Sequence, residues 1–156
     1  MNRVLSITLI AALFIITACG GGGGKSKIDQ IKEQSKMEPA DPYANWESNH
    51  GTGPVQAFEL PADIDQELAR QGLEIYEAKC TACHKPDKQF IGPAPKDILQ
   101  RRTPAWVMNM ILNPEEMVQK DPIAKQLLRD FNGSPMANQN LTRDEARAVL
   151  EYFRTL

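Results

Sequence analysis

Residues 80 to 85 read CTACHK and place two of the chain's three cysteines and one of its two histidines within five consecutive positions. The spacing Cys-x-x-Cys-His is the pattern of c-type haem attachment. Two thioethers would join Cys80 and Cys83 to the haem vinyl groups, and the adjacent His84 would bind the iron from the proximal side. The stretch therefore predicts one covalently attached haem c.

Two other uses of these residues fit less well. A thioredoxin-type disulfide follows a strand. The stretch before Cys80 instead carries small or apolar residues at helical spacing, namely Leu68, Gly72, Ile75 and Tyr76. A structural zinc site needs four ligands, whereas CTACH supplies three and the other histidine, His50, lies in a glycine-rich loop.

The first eighteen residues are typical of a cleaved signal peptide. A short basic start precedes an apolar run of thirteen residues, 4–16, which is too short to span a bilayer comfortably. Small residues then lead to Cys19 and five glycines. This arrangement resembles the bacterial lipobox, in which the signal is cut before the cysteine and the thiol carries lipid. An uncleaved anchor helix and an ordinary secretory signal are the alternatives.

Residues 19–62 are predicted to hold the lipidated cysteine and a linker, and residues 63–156 the folded domain. The linker is rich in glycine and polar residues, and four prolines interrupt any helix in it. Three aromatic residues, Tyr43, Trp46 and Phe58, are unusual for a pure linker. We therefore expect part of residues 41–60 to pack on the domain.

Capping signals predict the helices of the domain. The second predicted helix, which starts at Thr103-Pro104, stops before Pro114. The third, which starts at Asp121-Pro122, is capped by Gly133 at its C-terminus. The last is expected to bury Ala146, Val149, Leu150 and Phe153. The predicted starts are Asp63, Thr103-Pro104, Asp121-Pro122 and the capping box Thr142-Arg143-Asp144-Glu145.

A haem electron carrier usually has a second protein ligand on the iron, and a methionine thioether there raises the reduction potential. Met136 is predicted to be this ligand, because it lies in the loop SPMANQN between two helices. His50 is its chief rival. Met110 is expected to pack in the core, and Met108 and Met117 to fill gaps or lie on the surface.

Residues 63–156 resemble a class I monohaem cytochrome c. The resemblance rests on GLEIYEAKCTACH at 72–84, GPAP at 92–95, the methionine loop and LTRDEARAVLEYF at 141–153. It implies an all-α fold of about four to five helices around one covalently attached haem. The sequence departs from the family at Pro95, where leucine is common, and in the order Pro135-Met136, which is usually reversed.

The resemblance also implies several contacts. Gly72 would allow the first and last helices to approach closely, with Tyr76 packing against Tyr152. The carbonyl of Pro93 would accept a hydrogen bond from the second ring nitrogen of His84. The run RRTPAW at 101–106 resembles cytochrome c modules linked to respiratory enzymes. One interpretation is that Arg101, Arg102 or Trp106 hydrogen-bonds the haem propionates. The other is that the two arginines are solvated and Trp106 simply packs in the core.

These features predict a tethered one-electron carrier rather than an enzyme. It would pass electrons from a membrane-bound respiratory donor to a terminal reductase or oxidase, on the periplasmic side of a bacterial membrane. Gly20, rather than Asp, after Cys19 favours the outer membrane. The stretch IGPAP and the run from NMILNPEEM through MANQNLT resemble lipoprotein cytochromes associated with nitrous-oxide reduction.

The alternative is a haem enzyme, such as a small peroxidase or catalytic subunit, or a haem sensor, either of which needs a vacant distal site. Residues 69–156 carry 13 basic against 11 acidic residues. This small excess permits docking to an acidic partner, although solvated charge is the simpler account. Nothing in the sequence suggests nucleic-acid binding.

Overall fold

The computed structural model describes residues 41–156, which contain five α-helices and no strands. The predicted all-α fold is confirmed. None of the described helices is long and apolar enough to cross a membrane. The predicted signal peptide and Cys19 lie outside the described residues. The helices are α1 (Gln66–Lys79), α2 (Pro104–Leu112), α3 (Pro114–Lys120), α4 (Pro122–Asp130) and α5 (Arg143–Phe153), with 3-10 turns at Trp46–Ser48 and Ile98–Gln100.

Helix α1 begins two residues later than the sequence indicated. Its N-cap is Asp65, whose side chain accepts a hydrogen bond from the Leu68 amide at 3.0 Å. The prediction of Asp63 as N-cap is wrong. The Asp63 carbonyl instead accepts a hydrogen bond from Arg154 at 3.1 Å, a tertiary contact that no local pattern reveals.

The other three predicted helix starts are confirmed. Thr103 and Asp121 accept hydrogen bonds from the amides of Trp106 and Ala124, and each is followed by a proline at the first helical position. Thr142 and Glu145 form the reciprocal capping box of α5.

Helix α3 was not predicted. Pro114 ends α2 and is also an early residue of α3. Proline is tolerated in the first turn of a helix, because the backbone amides there have no carbonyl partner within the helix. Glu115 and Glu116 follow in the first turn, where carboxylates favour the helix dipole. These three residues were the signal that the sequence interpretation missed.

Helices α1 and α5 pack directly against each other at Gly72. A Cβ atom at this position would lie 1.9 Å from the backbone oxygen of Ala148, so only glycine permits the approach. Next to this crossing, the rings of Tyr76 and Tyr152 lie 5.3 Å apart between centroids, and Phe153 meets Tyr76 edge-on. Both contacts implied by the resemblance are therefore present.

Met108 and Met117 belong to the hydrophobic core and have 2% and 0% of their surfaces exposed. Surface positions for these two methionines are therefore ruled out. The Met117 sulfur also accepts a hydrogen bond from the Thr52 amide at 3.0 Å. The core includes residues from α2, α3, α4 and α5, among them Trp106, Ile111, Ile123, Ala146, Val149 and Leu150.

Residues 41–60, here called the N-terminal segment, lie against this core. Tyr43, Trp46 and Phe58 pack on it, and Val55 is fully buried. The buried side chain of Asn109 fastens the segment, because its amide donates to the carbonyls of His50 and Val55 and accepts from the Val55 amide, each at 2.9 Å. The compact unit thus includes residues upstream of position 63.

Candidate haem site

A single cavity in the described unit brings together most of the residues that the sequence singled out. Its wall is largely apolar and includes side chains from α2 and α4 as well as the residues around the Cys-x-x-Cys-His stretch. Of the predicted site residues, the cavity is lined by Cys80, Cys83, His84, Pro93 and Met136. His50 is not among its lining residues and is exposed to solvent.

His84 is held by a backbone acceptor. Its Nδ1 lies 2.8 Å from the Pro93 carbonyl oxygen, which can only accept, so Nδ1 carries the proton and donates. The second ring nitrogen, Nε2, is therefore left with a lone pair for a metal. Gly92 packs against the ring, since a Cβ there would lie 2.4 Å from Cε1 of His84.

The loop that carries Pro93 is fastened by Arg101. Its guanidinium donates to the carbonyls of Ala94 and Lys96 at 2.7 and 2.8 Å. Arg101 is thus not a freely solvated arginine. By fixing residues 94–96, it stabilises the position of the neighbouring carbonyl that orients His84.

The two cysteines follow directly from the end of α1. The amides of Cys83 and His84 both bond to the Cys80 carbonyl, at 3.1 and 2.9 Å, which continues the chain in a tight turn. No disulfide joins the two cysteines. Before haem is attached, burial, followed by the nearby Cys83, raises the pKa of the Cys80 thiol to about 11. The turn presents Cys80, Cys83 and His84 to one cavity.

Two methionines, not one, line the cavity. Met136 lies in the irregular stretch between α4 and α5, as expected, while Met110 reaches the cavity from α2. The prediction that Met110 only packs in the core is therefore incomplete. Asn138 helps to hold the methionine loop, because its amide lies 3.5 Å from the Leu112 carbonyl.

Trp106 is a core residue and not a propionate ligand. It is 3% exposed, and its Nε1 donates to the Asp121 carboxylate at 3.0 Å, so its only polar atom is already paired. Arg102 is also buried, with 5% exposure, which contradicts the solvated alternative. Its guanidinium lies over the rings of Tyr43 and Trp106, at 4.9 and 5.2 Å from their centroids.

The residues of the cavity fit a covalently attached haem. Two thiols and an imidazole with a free Nε2 lie at the required spacing, and thioether sulfur is available in the same cavity. The remaining wall suits an apolar macrocycle, because it is dominated by side chains such as Ile98, Val107, Ile111, Leu127, Leu128 and Phe131. The buried Nε of Arg102 has no hydrogen-bond partner, which leaves a donor for an anionic group at the wall.

An all-α domain built around such a cavity defines a c-type cytochrome. Residues 69–156 match the Cytochrome c family, and the chain belongs to that family. The predicted cofactor, one covalent haem c, is confirmed, and the protein is a haem-based electron carrier.

The chain is similar to solved structures from one organism. Cytochrome c from Rhodothermus marinus is 45% identical, covering 66% of this chain and 88% of that chain, with a TM-score of 0.63. Two structures of an engineered form, Rma TDE, are 42% and 43% identical, with TM-scores of 0.64 and 0.62. Each covers 74% of this chain and 96% of that chain, and the second is described as bound to a carbene intermediate. No curated protein matches the chain.

Proposed function

We propose that this protein is a membrane-tethered one-electron carrier whose haem iron is held by His84 and Met136. The observation that supports this proposal is that an oriented imidazole and a methionine line the same cavity. A haem iron with both axial positions filled changes its oxidation state without binding a small substrate. Cys80 and Cys83 would fix the haem covalently, and the Pro93 carbonyl would keep the His84 ring in one orientation and tautomer.

The proposed partners are a respiratory donor and a terminal reductase or oxidase, with a nitrous-oxide reductase as the narrower candidate acceptor. Phe90 and Ile91 are exposed apolar side chains, at 52% and 48%, and Ile91 lines the haem cavity. Three exposed lysines, Lys79, Lys88 and Lys96, come from the same part of the chain. An apolar surface accompanied by lysines suits an acidic redox partner.

The proposed tether is lipid on Cys19, which would keep the carrier on the periplasmic side of a bacterial membrane, with the outer membrane favoured by Gly20. The support for this part is the signal-like sequence and its small residues before the cysteine. Tethering would confine the carrier to the surface on which its partners work, which raises their effective concentration.

The ligand assignment is tested by replacing each cavity methionine with leucine, which keeps the volume but removes the sulfur. In Met136→Leu, we expect the reduction potential to fall and carbon monoxide to bind the ferrous protein rapidly, because a ligand favouring Fe(II) is lost. Met110→Leu is the matched control and should leave both properties unchanged. Redox titration and carbon monoxide binding spectra provide the measurements.

Each other outcome has a distinct meaning. If Met110→Leu rather than Met136→Leu opens the site, Met110 is the ligand and the loop assignment is wrong. A change confined to His50→Ala would indicate bis-histidine ligation. Rapid carbon monoxide binding by the unmodified protein would indicate the vacant distal site that a haem enzyme or sensor needs, and would overturn the proposal that Met136 fills it.

A further inference from the structure

The stretch of chain that carries Met136 has few fixed contacts with the rest of the protein. Residues 131–142 join α4 to α5, and their hydrogen bonds are almost all to near neighbours in the sequence. Within the part of the chain that the structure describes, one hydrogen bond from this stretch reaches a distant element. It runs from Asn138 to the Leu112 carbonyl and is long, at 3.5 Å. The position of the stretch therefore depends on its two ends and on packing.

The N-terminal segment holds one of these ends. Asp130 is the last residue of α4, and its carboxylate accepts a hydrogen bond from the Tyr43 hydroxyl at 2.7 Å. The other carboxylate oxygen accepts from Gln126 within the same helix, also at 2.7 Å. Directly afterwards, Asn132 and Gly133 have positive φ angles of 58° and 73°, which turn the chain sharply. The bond from Tyr43 thus holds α4 at the point where the chain leaves the helix.

Tyr43 is itself held in place. Its ring packs on the hydrophobic core, and the buried guanidinium of Arg102 lies over it, 4.9 Å from the centroid. Its backbone amide donates to the Asp41 side chain at 2.9 Å. Burial, followed by the bond to Asp130, raises the pKa of Tyr43 to about 12, so the hydroxyl keeps its proton and donates at neutral pH. The segment therefore presents a fixed donor to the end of α4.

The same end of α4 borders the haem cavity. Phe131, the residue after Asp130, lines the cavity, and so do residues 134–137. Tyr43 and Asp130 are not among the lining residues. Any effect that these two side chains have on the cofactor must therefore pass through the stretch 131–142.

We infer that Tyr43 and Asp130 are positioning residues that hold Met136 on the haem iron. Their hydrogen bond makes the N-terminal segment, which lies outside the residues 69–156 that match the family, a support for the distal ligand. This inference rests on the proposed ligation by Met136. Without the bond, the stretch 131–142 would open more often, and each opening would release the thioether from the iron.

The test uses the full-length holoprotein and measures two quantities, the rate of carbon monoxide binding by the ferrous protein and hydrogen exchange in residues 131–142. Carbon monoxide can bind the iron only after the methionine has left, so its rate reports the opening of this stretch. Tyr43→Phe removes the hydroxyl and keeps the ring under Arg102. We expect both rates to rise about two- to fivefold, which corresponds to the loss of one exposed hydrogen bond.

Variants at Asp130 and Gln126 isolate the bond. Asp130→Leu should have the same effect as Tyr43→Phe, and the double variant should add nothing further, because both substitutions remove one interaction. Asp130→Asn keeps an acceptor oxygen and should behave like the unmodified protein. Gln126→Ala is the matched control, since it removes the other bond to Asp130, lies outside the cavity wall and leaves Tyr43 in place.

Two results would overturn the inference. One is that Tyr43→Phe and Gln126→Ala are alike in both rates. The other is faster exchange confined to residues 41–48, which would mean that the bond fastens the N-terminal segment and nothing else. Rapid carbon monoxide binding by the unmodified protein would instead refute the ligation on which the inference rests. That result needs no substitution, so the two failures are distinguishable.

Discussion

At position 72, the absence of a side chain sets the distance between α1 and α5. The atom nearest to an added Cβ would be a backbone oxygen of α5, which cannot move without moving the helix. The three aromatic rings beside this crossing, Tyr76, Tyr152 and Phe153, depend on the same spacing. Tyr76 and Phe153 also line the haem cavity, so one residue without a side chain influences the cofactor pocket.

Gly72→Ala should therefore destabilise the holoprotein, by about 2 kcal/mol, because the cost of overpacking exceeds the gain in helix propensity. Guanidinium denaturation followed by circular dichroism measures the change in the free energy of unfolding. Gln71→Ala, at the neighbouring exposed position, should change this free energy by less than about 0.5 kcal/mol. A Gly72→Ala protein as stable as the control would contradict the close packing of these helices.

At the scale of elements, α2 connects the N-terminal segment to the haem cavity. One side of the helix carries Asn109, which bonds to the segment, while Met110 and Val107 line the cavity. The sequence suggested packing of the segment from its aromatic residues, but the polar contacts of Asn109 were not foreseen. An asparagine inside a helix is usually solvated, and nothing local marks it as the partner of residues more than fifty positions away.

Asn109→Ala should loosen the N-terminal segment without unfolding the helices. The Val55 amide would lose its partner in a buried position, at a cost of about 1–3 kcal/mol. Hydrogen exchange should accelerate at residues 50–55 and stay slow in α1 and α5. Asn113→Ala, one turn further along, removes only a local bond to Glu116 and is the control. Equal exchange in both variants would show that Asn109 does not fasten the segment.

At the scale of the whole molecule, the proposed function separates two uses of cysteine. Cys80 and Cys83 lie in the folded unit, while Cys19 lies outside the described residues and is proposed to carry lipid. Anchoring and haem binding should therefore be independent, because they draw on different parts of the chain.

Cys19→Ser should release a soluble or unprocessed protein that still binds haem with an unchanged spectrum. Electron delivery by cells should fall, since the tether no longer raises the effective concentration of the partners. Membrane fractionation, haem staining and respiratory rates provide the measurements. A processed Cys19→Ser protein that stays fully in the membrane fraction would rule out the lipid anchor.

The sequence by itself determined the features whose physics is local. Covalent haem attachment depends on residues within a single turn, and the helix starts at Thr103, Asp121 and Thr142 depend on side chains that cap the adjacent amides. The family resemblance additionally predicted one tertiary contact, the close approach of α1 and α5 at Gly72. Local patterns were less reliable where two signals coincided, as at Pro114, which both ends α2 and lies in the first turn of α3.

Only the tertiary structure decided which residues share the cavity. Helical spacing marks a side chain as inward-facing. The spacing does not distinguish a side chain that packs in the core, as Met108 does, from one that lines a cofactor cavity, as Met110 does. The burial of Arg102 beneath Tyr43 likewise depends on a contact between residues far apart in the chain. Such contacts arise from the packing of distant elements, and no spacing within a single element encodes them.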